Sequence, residues 1–190
     1  MNKFCNKKEA RRYFLDKRGA ISADDIKMRS LTLCEHILSL DEYKSASTVL
    51  LFAPTRNEPE LSQVALSAYA EGKSVAFPIS RTQTCTLDFR KVSSLDELRT
   101  GAYGILEPSE DAPTVTITEK TLCIVPALAV DRQGFRLGYG KGYYDRFLRD
   151  FNGTSVCALL NDFSCESLPH DENDVPVSIT IFETGVVKAK

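Results

Sequence analysis

The chain has no run of about 18 apolar residues, so no segment reads as a bilayer-spanning helix and no membrane partner is expected. It also has no CxxC pair. Its six cysteines (Cys5, Cys34, Cys85, Cys123, Cys157 and Cys165) are scattered, which argues against a zinc site and for reduced, mostly buried thiols. The opening MNKFCNKKEARR lacks the apolar centre of a secretory signal, and a cytoplasmic location is therefore expected. There are only two histidines. His36 reads as part of a helix surface and His170 as a loop residue, and neither receives a role. No GxSxG nucleophile elbow occurs, and no Cys–His arrangement follows from scattered thiols. Strong charge of either sign is missing too: the net charge is −2, so bulk electrostatics do not point to nucleic acid.

The charge that is present is unevenly placed. In the first 18 residues seven Lys and Arg face two Asp and Glu, a local balance of +5 that leaves −7 for the remainder. With 190 residues, 43% hydrophobic and 26% charged, the chain suits one soluble domain with a sizeable core. It shows no internal repeat, low-complexity segment or linker.

Residues 6–18 read as a short helix in which Lys7 and Arg11, four apart, share a face, with Arg18 two turns further along the same side. A longer helix follows from the N-cap candidate Ser22, with Asp25 three residues on and Ile26, Leu33, Ile37 and Leu40 as its apolar stripe. Then STVLLFA (47–53) reads as a buried strand, 59–72 as a helix opening at Pro59 and closing at Gly72, and SVAFP (74–78) as a second strand. Strand, helix and strand in about 30 residues form a βαβ unit, whose strands pair in parallel through a right-handed crossover. The fold class is accordingly α/β: a single domain in three layers, with a mostly parallel central sheet flanked by helices. Residues 84–92 alternate like a strand and 94–98 form a helical turn. TLCIVPALAV (121–130), the most hydrophobic run, is expected to be the central strand. Helix 143–151 and strands 154–160 and 175–182 complete the pattern.

Between the central strand and helix 143–151 lies RLGYGKGYYDRF, Arg136 to Phe147, with glycines at alternate positions 138, 140 and 142. Such a loop, at the carboxyl end of a strand, lets backbone approach a bound group and offers helix N–H groups to an anion. It is not a dinucleotide fingerprint, because the third glycine is Gly142 where GxGxxG needs residue 143. Nor is it GxxxxGK[ST]: a glycine follows Lys141, and Phe135 stands where the first glycine belongs. What remains is Arg136, Lys141 and Arg146 for phosphate, tyrosine faces for a planar ring, and Asp145 as either a Mg²⁺ ligand or a partner of the helix dipole.

These segments resemble the 5-formyltetrahydrofolate cyclo-ligase family, whose enzymes are also called 5,10-methenyltetrahydrofolate synthetases. The resemblance covers nearly the whole chain, in six ordered blocks: KKEARR, the segment around NEPEL, GKSVAFP, GAYGILEP, VPALAVDRQGFRLGYGKGYYDRFL and ENDVPV. The long block is the most specific. It implies Mg²⁺- and ATP-dependent closure of 5-formyltetrahydrofolate to 5,10-methenyltetrahydrofolate, with release of ADP and phosphate. On the family pattern Lys7, Arg11 and the loop Arg136, Leu137, Gly138, Tyr139, Gly140, Lys141, Gly142, Tyr143 and Tyr144 bind ATP. Glu58 and the Tyr139–Tyr143 portion border the folate, Asp145 and Asp174 hold Mg²⁺, and Lys141 and Arg146 are the catalytic cations. Leu61 departs from the threonine that many members carry, and Arg56 is an added cation near Glu58. The implied partners are a small folate and ATP, without nucleic acid, and a monomer is expected. The alternative is a catalytically inactive folate or nucleotide sensor of the same fold; retention of Lys7, Arg11, Glu58, Asp145 and Asp174 together argues against it. An RNA-binding role for the basic N-terminus lacks an aromatic RNA-binding motif.

Overall fold

The computed structural model describes residues 4–188. Asn6 caps α1 (Lys7–Gly19), its side-chain oxygen accepting the Glu9 N–H at 2.9 Å. Ser22 caps α2 (Ala23–Ser39) and accepts the Asp25 N–H at 3.2 Å, as the Ser22–Asp25 spacing predicts. The one-turn α3 (Asp41–Ser45) leads into β1 (Thr48–Leu50). The parallel unit continues through α4 (Ser62–Ala70) to β2 (Ser74–Arg81), which turns back into antiparallel β3 (Thr86–Lys91). A small hairpin of β4 (Arg99–Thr100) and β5 (Leu106–Glu107) precedes β6 (Thr121–Ile124). A second hairpin, β7 (Ala129–Val130) with β8 (Arg136–Leu137), leads to α5 (Tyr143–Arg149), β9 (Thr154–Ala158), β10 (Ile179–Phe182) and β11 (Gly185–Lys188).

The main sheet has seven strands in the order β11-β10-β9-β6-β1-β2-β3. Its five inner strands pair in parallel and only the two edges are antiparallel. The predicted α/β sheet is therefore present. β6 lies in the middle with all four residues buried, as its hydrophobicity requires of a strand covered on both faces.

Several boundaries differ from the sequence expectation, each for a local reason. The run 121–130 is not one strand. Val125 still donates to Val156 at 2.7 Å, but Pro126 has no N–H to offer the ladder, and Leu128 then pairs with Leu137 in the second hairpin. Helix 59–72 starts three residues late, at Ser62, because Arg56 and Asn57 take left-handed φ of 49° and 58° and the chain is still in a turn at Glu58. The last expected strand, 175–182, pairs only from Ile179, and β11 folds back on it after Gly185, whose φ is 137°. The β4–β5 hairpin has no apolar alternation that would reveal it.

From β1 the chain crosses to β2 on one side, and from β6 it crosses to β9 on the other. With right-handed crossovers, opposite directions put α4 and α5 on opposite faces and leave a crevice between the carboxyl ends of β1 and β6. That crevice positions the site.

Candidate active site

The carboxyl ends of the inner strands supply the cleft floor: Phe52, Ala53 and Thr55 after β1, Pro78 and Ser80 of β2, and Pro126 after β6. The cleft volume is ≈ 330 Å³, inside the range of about 300–1,000 Å³ found for ligand pockets, and its mouth is open to solvent. One wall is the glycine loop, and the opposite rim is the β4–β5 hairpin. There the Tyr103 hydroxyl meets the Tyr143 hydroxyl at 3.1 Å, with the rings edge to face at 6.4 Å.

The loop backbone is shaped by its glycines. Gly140 has φ 96°, and a methyl group there would sit 3.1 Å from the Arg11 guanidinium carbon; Gly142, at φ 70°, is the N-cap of α5. Arg11 reaches across from α1 and donates from Nε to the Gly138 carbonyl at 2.9 Å. The first helix is thereby tied to the loop. Arg136, almost fully buried, donates to the Val175 carbonyl at 2.6 Å and to Asp145 at 3.0 Å. Asp145, in the first turn of α5, thus has a cation partner and keeps lone pairs free.

At the other end of the cleft Lys7 bridges two carboxylates, Asp174 at 2.5 Å and Asp171 at 2.7 Å. Burial alone lowers a lysine pKa, but the two bonds outweigh it and raise that of Lys7. The same bond, helped by the Asn173 N–H, pushes the exposed Asp171 carboxyl down to about 2. Asp174 also accepts the Asp171 N–H at 2.6 Å, which holds the loop in place.

Glu58 occupies the floor and is only 4% exposed. One carboxylate oxygen accepts the Tyr139 hydroxyl at 2.9 Å and the other the Thr55 N–H at 3.0 Å. Burial pushes its pKa up, and the pull of those two donors and of the Arg18 and Arg56 charges offsets that rise only in part. Arg56 lies over the Tyr139 ring, 5.4 Å from its centroid.

All the predicted ligand-contacting residues from Arg136 to Tyr144, together with Lys7, Arg11, Glu58, Asp145 and Asp174, line this one cleft. Arg146 does not. Its guanidinium turns back to donate to the Lys141 carbonyl at 2.8 Å and the Cys85 carbonyl at 3.4 Å, bracing the loop from outside. Lys141 is exposed and bonds with its side chain to no described residue. Among the described residues no group of three or more metal-ligating side chains comes together.

The chain matches the 5-formyltetrahydrofolate cyclo-ligase family over residues 4–183, nearly its full length. The chain belongs to that family. It is therefore an enzyme of the ligase class. The 5-formyltetrahydrofolate cyclo-ligase of Mus musculus is 24% identical over 86% of this chain and 87% of its own. That of Mycolicibacterium smegmatis is 30% identical over 70% and 72%. The solution structure of Aquifex aeolicus 5,10-methenyltetrahydrofolate synthetase superposes with a TM-score of 0.82 at 31% identity, covering 97% of this chain and 93% of that one.

Two features of the cyclo-ligase cleft went unassigned from sequence. Arg18 is a buried charge beneath Glu58, and its signal was available: it stands four residues after Phe14, on the apolar stripe of α1, where a cation needs a reason. The Tyr103 rim had a weaker signal, the glycines of GAYG, where Tyr103 takes φ 57°. His36 bonds the Glu183 carbonyl at 3.2 Å and His170 stacks on Phe135 at 3.8 Å; neither lines the cleft.

Proposed function

We propose that the protein converts 5-formyltetrahydrofolate to 5,10-methenyltetrahydrofolate at the expense of ATP, releasing ADP and phosphate. The observation that carries this is the convergence of Lys7, Arg11, Glu58, Asp145, Asp174 and the glycine loop on one cleft at the switch point of the sheet.

A formamide oxygen is a poor leaving group and must be activated first. The formyl oxygen attacks the γ-phosphorus, the bond from that phosphorus to the β–γ bridging oxygen breaks, and ADP leaves. N10 then attacks the formyl carbon, the carbon–oxygen bond breaks with its electrons going to phosphate, and the N10 proton is lost. This asks the protein mainly for alignment and charge neutralisation. Lys7 and Arg11 present cations from α1, the loop backbone from Gly138 to Gly142 lies against the triphosphate, and exposed Lys141 closes over it as the catalytic cation. Arg146, the other expected catalytic cation, braces Lys141 by donating to its carbonyl. Tyr139 and Tyr143 flank the folate ring, and the Glu58 carboxylate accepts N–H donors of the pterin.

Asp145 and Asp174 are the residues that would hold Mg²⁺. Two carboxylates on one cleft with phosphate oxygens completing the shell is a common way of binding this ion, so the donor set fits. Bound there, Mg²⁺ would offset phosphate charge. The six free cysteines suit a reducing compartment such as the cytoplasm. The test is to mix protein, 5-formyltetrahydrofolate and Mg·ATP and watch the ultraviolet absorbance of the methenyl product. A rise is expected; no rise with folded protein refutes the assignment.

A further inference from the structure

Arg18 is the most buried cation among the described residues, at 1% exposure, and the mechanism above does not use it. A buried guanidinium is costly unless paired. Nη2 donates to the Ala127 carbonyl at 2.6 Å and to the Leu128 carbonyl at 3.2 Å, fixing the group beneath the segment that follows β6. Nη1 approaches the Tyr139 hydroxyl at 3.4 Å and the Glu58 carboxylate at 3.9 Å, and the Phe163 ring covers the guanidinium at 4.7 Å. Nε has no partner among the described residues.

The donor inventory fixes the direction of this chain of bonds. A guanidinium can only donate, so the Tyr139 oxygen accepts from Arg18 and its own proton goes to Glu58. With one Glu58 oxygen taking that phenol and the other the Thr55 N–H, each keeps a further lone pair for a ligand. We propose that Arg18 is a positioning residue for folate recognition: anchored on the Ala127 and Leu128 carbonyls, it orients the Tyr139 hydroxyl and through it the Glu58 carboxyl group, so that Glu58 meets adjacent N–H donors of the ligand.

The groups facing Glu58 are Arg18 from α1, Arg56 from its own loop, Tyr139 and Tyr144 from the glycine loop and α5, and the buried Cys157 thiol of β9, which burial keeps protonated. Of the two cations only Arg18 is buried, and the tyrosines carry no charge at neutral pH. Burial already pushes the Glu58 pKa up; removing Arg18 raises it further, so the carboxylate forms only at higher pH.

The inference rests on the proposed reaction, and wild-type turnover of 5-formyltetrahydrofolate tests that part separately. Given an active wild type, Arg18→Gln is expected to raise the folate KM about tenfold at pH 7, as loss of a charge-assisted contact does. The ATP KM should stay within about twofold, and the defect should shrink as pH rises toward 9. Arg18→Lys retains the charge but not the fork, and should show the same alkaline shift to a smaller extent. Either variant suffices if the other does not fold, as judged by circular dichroism. A defect that is independent of pH, or one that raises both KM values together, overturns the assignment, as does a wild-type folate KM in Arg18→Gln.

Discussion

Gly140→Ala isolates the part of the glycine loop that only backbone freedom can explain. Gly140 sits at φ 96°, and an added methyl group would lie 3.1 Å from the Arg11 guanidinium carbon. A left-handed conformation costs an L-residue about 1–2 kcal/mol. Arg11 must also shift by a few tenths of an ångström, which loads its 2.9 Å bond to the Gly138 carbonyl. For a chain of this size about 1 kcal/mol moves Tm by about 2–4 °C, so thermal denaturation should show a fall of about 2–8 °C. Where the free loop relaxes out of the strained conformation and ATP binding restores it, the same energy appears instead as a rise of about 5- to 30-fold in the KM for ATP. The folate KM should move far less, because Glu58 is held by Thr55 and Tyr139 and not by Gly140. Wild-type Tm together with wild-type ATP KM would refute the reasoning, since both the strained φ and the Arg11 contact predict a loss.

Other expectations are checked as directly. Asp145→Asn should weaken Mg·ATP use far more than folate binding; equal loss of both by calorimetry contradicts the metal assignment. Lys141→Ala should lower kcat/KM for ATP yet leave Tm within about 1 °C, because an exposed, unbonded side chain contributes little to stability. The Asp171 carboxyl, held down by Lys7, should titrate near about 2 by NMR and move up toward 3.8 in Lys7→Met. Because its folded pKa is depressed, its contribution to stability is complete above the unfolded value and is lost as pH falls through about 2. Brief alkylation of the native protein should label the exposed Cys5 and spare Cys123 and Cys157, which burial removes from solvent and whose thiol pKa values it raises.

How far this fold could be read from residues alone depends on how local each signal is. Helix caps at Ser22 and the apolar run at 121–124 need only neighbouring chemistry, and both stand as expected. The split of 121–130 depends on where a partner strand ends, although Pro126 marked the place. The two-residue strands β4 and β5 are too short for any periodicity, so the rim carrying Tyr103 was out of reach. In the cleft, Gly140 and Gly142 could be read as a ligand loop because positive φ is written in the residue type. Arg146 stands beside the loop cations in sequence, and its direction depends on the helix. On α5 it lies one turn from Gly142, which sends its guanidinium back onto the Lys141 carbonyl. Arg18 shows the opposite case, a charge whose importance appears only when the apolar stripe of α1 is folded onto Ala127 and Leu128.

The most direct test of the proposed chemistry follows an oxygen atom. With ¹⁸O in the formyl group of 5-formyltetrahydrofolate, the enzyme and Mg·ATP should yield methenyl product and phosphate in equal amounts, with the label in the phosphate. Label released into water, or ADP formed without methenyl product, would contradict phosphorylation of the formyl oxygen.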